Sequence, residues 1–334
     1  MAVGSGISHQ LGFKSEGGTY GTRAVADHFV RATNCTFVPN KYRTQGQGIQ
    51  SGALGPMLDH FVETHEDATG HVEIDIVNKG IGLFVQALMG TTVTPVLISG
   101  TSYTQTHTLA DPFGKSLTIQ QNVPLRTGAT ACQEINGARV TNADFSCGVG
   151  ELLHASFDFD GRQYDETQTL ASAAYTSTIP FRFKDMALKL GTFNSEVSLT
   201  GVRSVSCKVL RPMDDSDWTA GTSGLKNEPV LNDSTNPNIT GVITADFIAT
   251  VKAAIQDKAV TLSSTSLVWE FVGPVAISGA NFPTFRITLP SVTFDPITAD
   301  AQGAKEVTTA YPYTWRYDGT NLPVITMISS DVTL

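Results

Sequence analysis

Two stretches of the chain share an alternating pattern that is followed by a helical one. The first, residues 69–92, opens with polar residues alternating with apolar ones: His71, Glu73 and Asp75 against Val72, Ile74 and Ile76. Period-two alternation predicts a β-strand with one apolar face and one wet, acidic face. After Gly80 the apolar positions take helical spacing, at Ile81, Phe84, Val85 and Leu88. Gly90 follows where a left-handed C-cap is expected, so this stretch predicts a strand and a short helix.

A similar strand–helix unit begins at Thr240, and a spacing of 171 places Asp75 on Asp246. Two further pairs follow in the same order. The segment that begins at Cys35 resembles the segment that begins at Cys207, at a spacing of 172 residues. The segment that contains Gly161 resembles the one that contains Gly319, at a spacing of 158 residues. Three ordered pairs favour an internal duplication. The shorter last spacing predicts extra residues in the first copy, between Thr91 and Pro112.

This repeat divides the chain into three parts. Residues 1–30 are Gly-rich and predict an extended N-terminal arm, residues 31–165 a first domain, and residues 166–334 a second. Each domain is expected to be mainly β with one helix. Long connections lie at matched places, residues 44–68 and 213–239, and loops of that length are usually functional or disordered. Both are acidic, with these carboxylates: Asp59, Glu63, Glu66, Asp67, Asp214, Asp215, Asp217 and Glu228.

Composition supports a β-rich class. Of the 334 residues, 41% are apolar and only 16% charged, and the 30 Gly and 15 Pro indicate many turns. A net charge of −9 argues against tight nucleic-acid binding through phosphate neutralisation. No apolar run reaches the roughly 20 residues of a membrane span, and no secretory signal is visible. The four cysteines form no CxxC motif, which predicts reduced thiols in a protein that folds in a cytoplasm.

Motifs for catalysis or cofactor binding are not found. Gly114-Lys115-Ser116 resembles part of a phosphate loop, but Leu109 stands where that motif needs its first glycine. The histidines at 60, 65 and 71 lie among carboxylates without HEXXH spacing, so solvated side chains are favoured over a metal site. Asp158 and Asp160 resemble a carboxylate pair, but alternation on an exposed strand face is the simpler explanation. We therefore predict no enzyme activity, no cofactor and no metal.

Several short motifs resemble one known family. They are the N-terminal segment Gly6–Thr22 with Leu11-Gly12-Phe13, Glu16 and Thr19-Tyr20-Gly21; then Gly80–Phe84, Leu88-Met89-Gly90 and Phe159-Asp160-Gly161-Arg162. Their order resembles the tail tube (major tail) proteins of long-tailed bacteriophages over nearly the whole chain. The resemblance implies β-sandwich or barrel domains with a flanking helix. It also implies that subunits close into rings with a continuous inner β-barrel, stacked into a tube that conducts DNA.

The resemblance assigns expected roles to the acidic residues. Glu73, Asp75, Asp158 and Asp246 become candidates for the lumen, where an acidic wall would let DNA pass without specific binding. The two long connections become candidates for contacts between rings, and the arm a second contact segment. Expected partners are other copies of the chain and the tape-measure, tail-tip and tail-terminator proteins, in a virion tail assembled in the host cytoplasm.

Two tube-like domains per chain predict a trimeric ring with pseudo-sixfold symmetry. A true hexamer follows if the second half is instead an outer decoration. Two other classes remain as alternatives: a β-rich virion attachment or carbohydrate-binding protein, and an enzyme on a β-sandwich scaffold. Sugar-binding proteins usually present aromatic clusters, whereas aromatic residues here are 8% of the chain. An enzyme would need a convergent set of reactive side chains that the sequence does not offer outside loops.

Overall fold

The computed structural model describes residues 6–52, 54–127, 129–232, 239–299 and 306–334, which form a mainly β protein. The strands of the first half are β1 Gln10–Ser15, β2 His28–Val30, β3 Ala32–Gln45, β4 Phe61–Asp75, β5 Val96–Ser99, β6 Ser102–Thr108, β7 Leu117–Pro124, β8 Thr130–Gly148, β9 His154–Gly161 and β10 Gln163–Asp165. Those of the second half are β11 Met186–Thr192, β12 Ser195–Ser198, β13 Val202–Leu210, β14 Met213–Asp214, β15 Val230–Leu231, β16 Ile239–Asp246, β17 Thr265–Val272, β18 Thr284–Phe294, β19 Thr308–Trp315 and β20 Val324–Ser329. The first helix, α1, is Gly82–Met89. In the second half α2, Ala249–Val251, continues through a π-helical turn, Lys252–Gln256, into α3, Asp257–Val260.

Eight antiparallel strands form the central sheet in the order β3–β4–β9–β8–β13–β16–β19–β18. Strand β8 is long enough to serve two groups of strands. Its residues 130–138 pair with β7, and its residues 139–146 pair with β9. Strand β7 leads on to β1 and β2, and in the second half β18 leads on to β17, β11 and β12.

Each half has the same order of strand pairing. The first half runs β2–β1–β7–β8–β9–β4–β3, and the second runs β12–β11–β17–β18–β19–β16–β13. A register shift lies at the matched place in each: between Ala32 and Asn34 opposite β4, and between Val202 and Ser204 opposite β16. Strands β5 and β6 lie in the predicted insertion between Thr91 and Pro112, whereas α3 is separated from β17 by a short turn.

The strand registers of the two halves differ from two of the three spacings that the sequence suggested. Asp75 pairs with His154 and Asp246 pairs with Thr308, so β9 and β19 are related by a spacing of 154. Asn34 pairs with Glu73 and Ser204 pairs with Thr244, which gives 170 for β3 and β13 while β4 and β16 keep 171. The sequence-based spacings for Cys35–Cys207 and Gly161–Gly319 therefore differ from these registers by two and four residues. Both differences are even numbers, because a shift of two or four residues along a strand keeps each side chain on the same face and so preserves the alternating pattern.

The segment interpreted as an N-terminal arm contributes to the core. Its residues 10–15 form β1, which pairs with β7 over its whole length, and Leu11 and Phe13 are fully buried. This part is therefore not a surface segment. The irregular connection predicted for residues 44–68 is also shorter, because β3 continues to Gln45 and β4 begins at Phe61. The described part of the second connection, residues 213–232, is largely irregular, with only the two-residue pair β14–β15.

Helix α1 ends as predicted but lies inside the fold. Gly90 adopts φ +88° and its N–H bonds to the carbonyl of Gln86, because a left-handed C-cap turns the chain there. All eight helix residues are buried, so the helix does not flank the domain. The Phe84 ring stacks on Phe13 of β1 at 4.1 Å and on Phe157 of β9 at 5.2 Å. Gln86 is the one polar side chain of the helix, and a helix this apolar is expected in such an enclosed place.

His107 on β6 gives the fold a predictable acid sensitivity. The side chain is fully buried, and burial lowers the pKa of its imidazole to about 4. An unfolded histidine titrates near 6.5, so its neutral form stabilises the fold above that pH. This stabilisation is lost as pH falls from 6.5 towards 4, by up to about 3 kcal/mol. We expect urea unfolding at pH 7 and 4.5 to show a smaller difference for His107→Asn than for the unmodified chain. An equal difference would contradict this assignment.

Candidate functional site

One face of the central sheet is polar and continuous across both halves. Its cross-strand neighbours form a row from β3 to β19: Asn34, Glu73, Ser156, Asp144, Lys208, Thr240 and Thr314. Residues between them point the other way and are buried, among them Val72, Phe157, Phe145, Cys207 and Tyr313. Alternation thus places a polar wall on one side of the strands and the hydrophobic core on the other.

The four acidic residues predicted for a lumen occupy this polar face. Glu73 and Asp75 lie on β4, Asp158 lies on β9 opposite His71, and Asp246 lies at the end of β16. Sequence reasoning missed Asp144, a fifth carboxylate on the same face. The alternation of β8 between Ala138 and Phe145 carried that signal, since Asn142 and Asp144 are its polar positions.

His71 joins two of these carboxylates into one cluster. Its Nδ1 lies 2.6 Å from the Asp158 carboxylate, and its Nε2 lies 3.0 Å from that of Glu73. Partial burial opposes the charged imidazole, but the hydrogen bonds to Asp158 and Glu73 outweigh it and raise the His71 pKa. The pKa of the Asp158 carboxyl group is lowered although burial opposes this shift. The pKa of the Glu73 carboxyl group is also lowered, and the hydrogen bond to His71 is the largest cause.

Titration of His71 tests this cluster directly. We expect NMR to find its pKa above the usual 6.5, and to find it lowered in Asp158→Asn, which removes one charge partner. Because the pKa of His71 is higher in the folded state than in the unfolded state, the cluster contributes its full stabilisation below the unfolded-state pKa. This stabilisation is lost as pH rises through the folded-state pKa. A His71 pKa unchanged by Asp158→Asn would show that the contact does not persist in solution.

Cationic side chains offset part of the acidic face. Arg203 pairs with Asp246 and also with Glu306, and Lys208 Nζ lies 3.5 Å from the Asp144 carboxylate. The face therefore has cationic partners for two of its five named carboxylates, Asp246 and Asp144. It remains acidic, but less so than four isolated carboxylates would imply.

The β3–β4 hairpin carries the first group of predicted contact residues. Asp59 and Glu63 are exposed near its end. Asp67 is buried and accepts a hydrogen bond from Asn40, and Glu66 is half-buried and bonds to Gln163. These last two are unsuited to an outer contact. The end of the hairpin also exposes a group of large apolar side chains: Ile49, Leu54, Leu58, Phe61 and Val62.

The second acidic connection forms a strap, residues 213–232, against the first half. Asp214, Asp215 and Asp217 are exposed in it. Glu228 is instead turned inward, where it pairs with the buried Arg139 and accepts the N–H of Gly114. It is therefore removed from the candidates for outer contacts. A charge pattern alone does not distinguish a carboxylate that faces solvent from one that anchors its own loop.

A second buried ion pair fastens the strap. Lys226 reaches the carboxylate of Asp160, and the two side chains are 1% and 10% exposed. Burial raises the pKa of Asp160 to about 6, although the Lys226 ammonium opposes that shift. Asp160 therefore does not share the open environment of Asp158. Backbone bonding adds to the anchor, since the N–H of Glu66 on β4 donates to the carbonyl of Gly224 at 3.0 Å.

The N-terminal motif is a buried hydrogen-bonding centre. Glu16 is 7% exposed and accepts four hydrogen bonds, from Ser116 Oγ, Thr118 Oγ1 and the backbone N–H groups of Gly21 and Gly137. Nearby, Arg162 donates to the carbonyl of Tyr20 at 3.1 Å. A Cβ at Gly137 would lie 2.7 Å from Arg162 and 2.9 Å from Tyr20. The motif residues thus hold the loop 16–22 against β7, β8 and β9.

Among the residues that the structure describes, no three or more His, Cys, Asp or Glu side chains are arranged to hold a metal ion. In the same residues, no helix combines the length and apolarity that a bilayer crossing requires.

Comparison with known proteins identifies the family. No curated protein matches the chain. The family model described as phage tail tube protein matches residues 6–316, which include the Glu16 centre, the polar face and both acidic connections. Because this match covers nearly the whole chain, the protein belongs to the phage tail tube family and is a structural protein of the virion tail.

Proposed function

We propose that this protein polymerises as stacked rings to form the tail tube through which the genome is delivered. The observation that carries the proposal is the run of eight antiparallel strands with one polar and one core-facing side. Its first strand, β3, pairs only with β4 among the described residues. An open edge invites pairing with another chain, and closure into a barrel removes it.

The preferred ring is a trimer with pseudo-sixfold symmetry. Each half supplies four strands of the central sheet, β3, β4, β9 and β8 from the first and β13, β16, β19 and β18 from the second. The repeated pairing order and the matched register shifts support an internal duplication, with domains at 31–165 and 166–334. Three chains of eight strands would then close a barrel of 24. A hexamer would need 48 strands in one wall or a second half placed outside it.

The polar face is proposed to line the lumen. Its carboxylates would repel DNA phosphates, and the paired Arg203 and Lys208 would limit attraction to them. DNA would then pass without specific binding. The role is non-enzymatic. Its partners would be other copies of the chain and the tape-measure, tail-tip and tail-terminator proteins, with assembly in the host cytoplasm.

Stacking is proposed to use the end of the β3–β4 hairpin. Leu54 and Leu58 are 106% and 86% exposed in the single chain, and Ile49 is 100% exposed. Apolar side chains grouped at one exposed place mark an interaction surface. The exposed carboxylates of the strap, Asp214, Asp215 and Asp217, are the second candidate contact between rings.

Electron microscopy of the concentrated protein tests the proposal. Hollow tubes or rings of constant width, with threefold averages in end-on views, are the expected result. Sixfold averages would keep the tube and replace the trimer by a hexamer. Particles that never stack, even with tail-tip seeds, would overturn the tube and favour an attachment or carbohydrate-binding protein.

The double variant Leu54→Asp/Leu58→Asp should stop tube growth while leaving rings intact. Two charges on this end would have to be buried unpaired in each contact between rings, which is strongly unfavourable. Sedimentation would show loss of long tubes, and circular dichroism would show an unchanged β spectrum. Val260→Asp/Leu262→Asp, on an exposed helix end, is the matched control. Normal tubes from the hairpin variant would exclude this contact.

A further inference from the structure

We infer that neighbouring chains join through one strand seam, in which the free edge of β3 pairs with residues 295–299 of a second copy. This inference rests on the proposed ring. It adds which edges meet, in which direction and in which register. The seam is the intermolecular counterpart of the β8–β13 pairing that already joins the two halves of each chain.

The pairing within the chain provides the template. Residues 142–146 of β8 lie between β9 and β13 and pair antiparallel with both. On the β13 side, Asp144 is opposite Lys208 and Phe145 is opposite Cys207. The edge of β8, which belongs to the first half, is thus paired with β13 of the second half.

In the second half, β18 and β19 correspond to β8 and β9, but within the residues that the structure describes no further strand pairs with the end of β18. Strand β18 pairs with β19 only at residues 292–294, and the N–H of Asp295 extends this by one bond to Pro312 at 3.1 Å. At a spacing of 154, residues 296–299 correspond to 142–145 of β8. In the described chain they pair with no strand, so the edge of β19 at residues 308–311 is left open on that side.

Residues 296–299 nevertheless have the side-chain alternation of their counterparts. Ile297 and Ala299 are half-buried, whereas Pro296 and Thr298 are exposed. Ile297 and Ala299 correspond to Ala143 and Phe145 on the core side of β8. Pro296 and Thr298 correspond to Asn142 and Asp144 on its polar side. The segment can therefore extend β18 with Ile297 and Ala299 towards the core and Pro296 and Thr298 in the wall, with one ladder hydrogen bond missing at Pro296, which has no N–H.

The opposite end of the chain provides the receiving edge. At a spacing of 170, Cys35 and Phe37 of β3 correspond to Val205 and Cys207. In the template these two core-side residues pair with β8. In the single chain an open groove of about 790 Å³ lies beside the first part of β3, lined by Cys35, Phe37 and Val123 among others, and Phe37 is the β3 residue at which this groove meets the proposed seam. Transferring the template register places Val38 opposite Thr298 and Phe37 opposite Ala299.

A disulfide between Val38→Cys and Thr298→Cys tests the seam. Within one chain the two positions lie at opposite ends of an eight-strand run, roughly 30 Å apart at the usual strand spacing. A disulfide needs Cα atoms within about 7 Å, so the bond can form only between chains. The half-buried Cys35 is replaced by Ser in all variants to remove the nearest natural thiol.

Mild oxidation of assembled protein should move most of the chain from monomer to covalent trimer on a non-reducing gel, and reductant should reverse this. The register control is Lys41→Cys with Thr298→Cys, which shifts the pair by three residues, about 10 Å along the strand, and should stay monomeric. A covalent hexamer would keep the seam and change the number of chains.

Electron microscopy of the same samples separates the two possible failures. Rings without cross-links, or with equal cross-linking in the register control, would overturn the seam and leave the tube proposal standing. Neither rings nor cross-links would overturn both.

Discussion

Lys226→Met should lower the free energy of unfolding at pH 7 by about 3–5 kcal/mol, because it leaves the Asp160 carboxylate buried without its cation. The loss should be smaller at pH 5. Burial already raises the pKa of Asp160 to about 6, so the carboxyl group is then largely neutral and needs no partner. Guanidinium unfolding followed by tryptophan fluorescence measures both values. Trp218 reports on the strap itself, since the Lys226 ammonium lies 5.8 Å from its ring.

Two further variants separate the buried pair from a general effect of losing a lysine. Asp160→Asn combined with Lys226→Met should recover much of the stability, because no charge is then left unpaired. Lys252→Met removes a lysine from an exposed pair with Asp257, whose side chains are 50% and 52% exposed, and should change stability by less than about 1 kcal/mol. If Lys226→Met behaved like Lys252→Met, the strap would not be anchored by this pair.

Glu16→Ala should cost about 3–5 kcal/mol of unfolding free energy. The change removes the acceptor of four hydrogen bonds and leaves buried donors on Ser116, Thr118 and Gly137 without it. Each unsatisfied buried donor costs about 1–3 kcal/mol, partly relieved where water enters. The same unfolding measurement applies, with protein kept dilute so that assembly does not contribute.

Glu16→Gln is the informative comparison for this centre. It keeps one carbonyl oxygen but turns an NH₂ group towards the remaining donors, so an intermediate loss is expected. Glu63→Ala, on the exposed part of the hairpin, should have a small effect. Loss of rings in Glu16→Ala without loss of stability would instead assign the motif to subunit contacts.

The acidic residues show how far a charge pattern reaches. Glu73 and Asp75 could be assigned to one strand face because alternation depends only on neighbouring positions. Glu228 and Asp59 look alike in sequence, yet one anchors a buried arginine and the other is exposed. That difference depends on Arg139, which lies 89 residues from Glu228 along the chain. Local pattern carries no information about such a partner.

The sequence by itself determined two local elements: the alternating strand 69–75 and the helix that ends at Gly90. These follow from periodicity and from glycine's access to positive φ, which are properties of short segments. The ordered motifs also identified the family. Tertiary structure alone decided the registers of 170 and 154, the burial of β1 and α1, and the inward turn of Glu228. Each of these depends on contacts between segments far apart in the chain, where one-residue shifts exchange the faces of a strand.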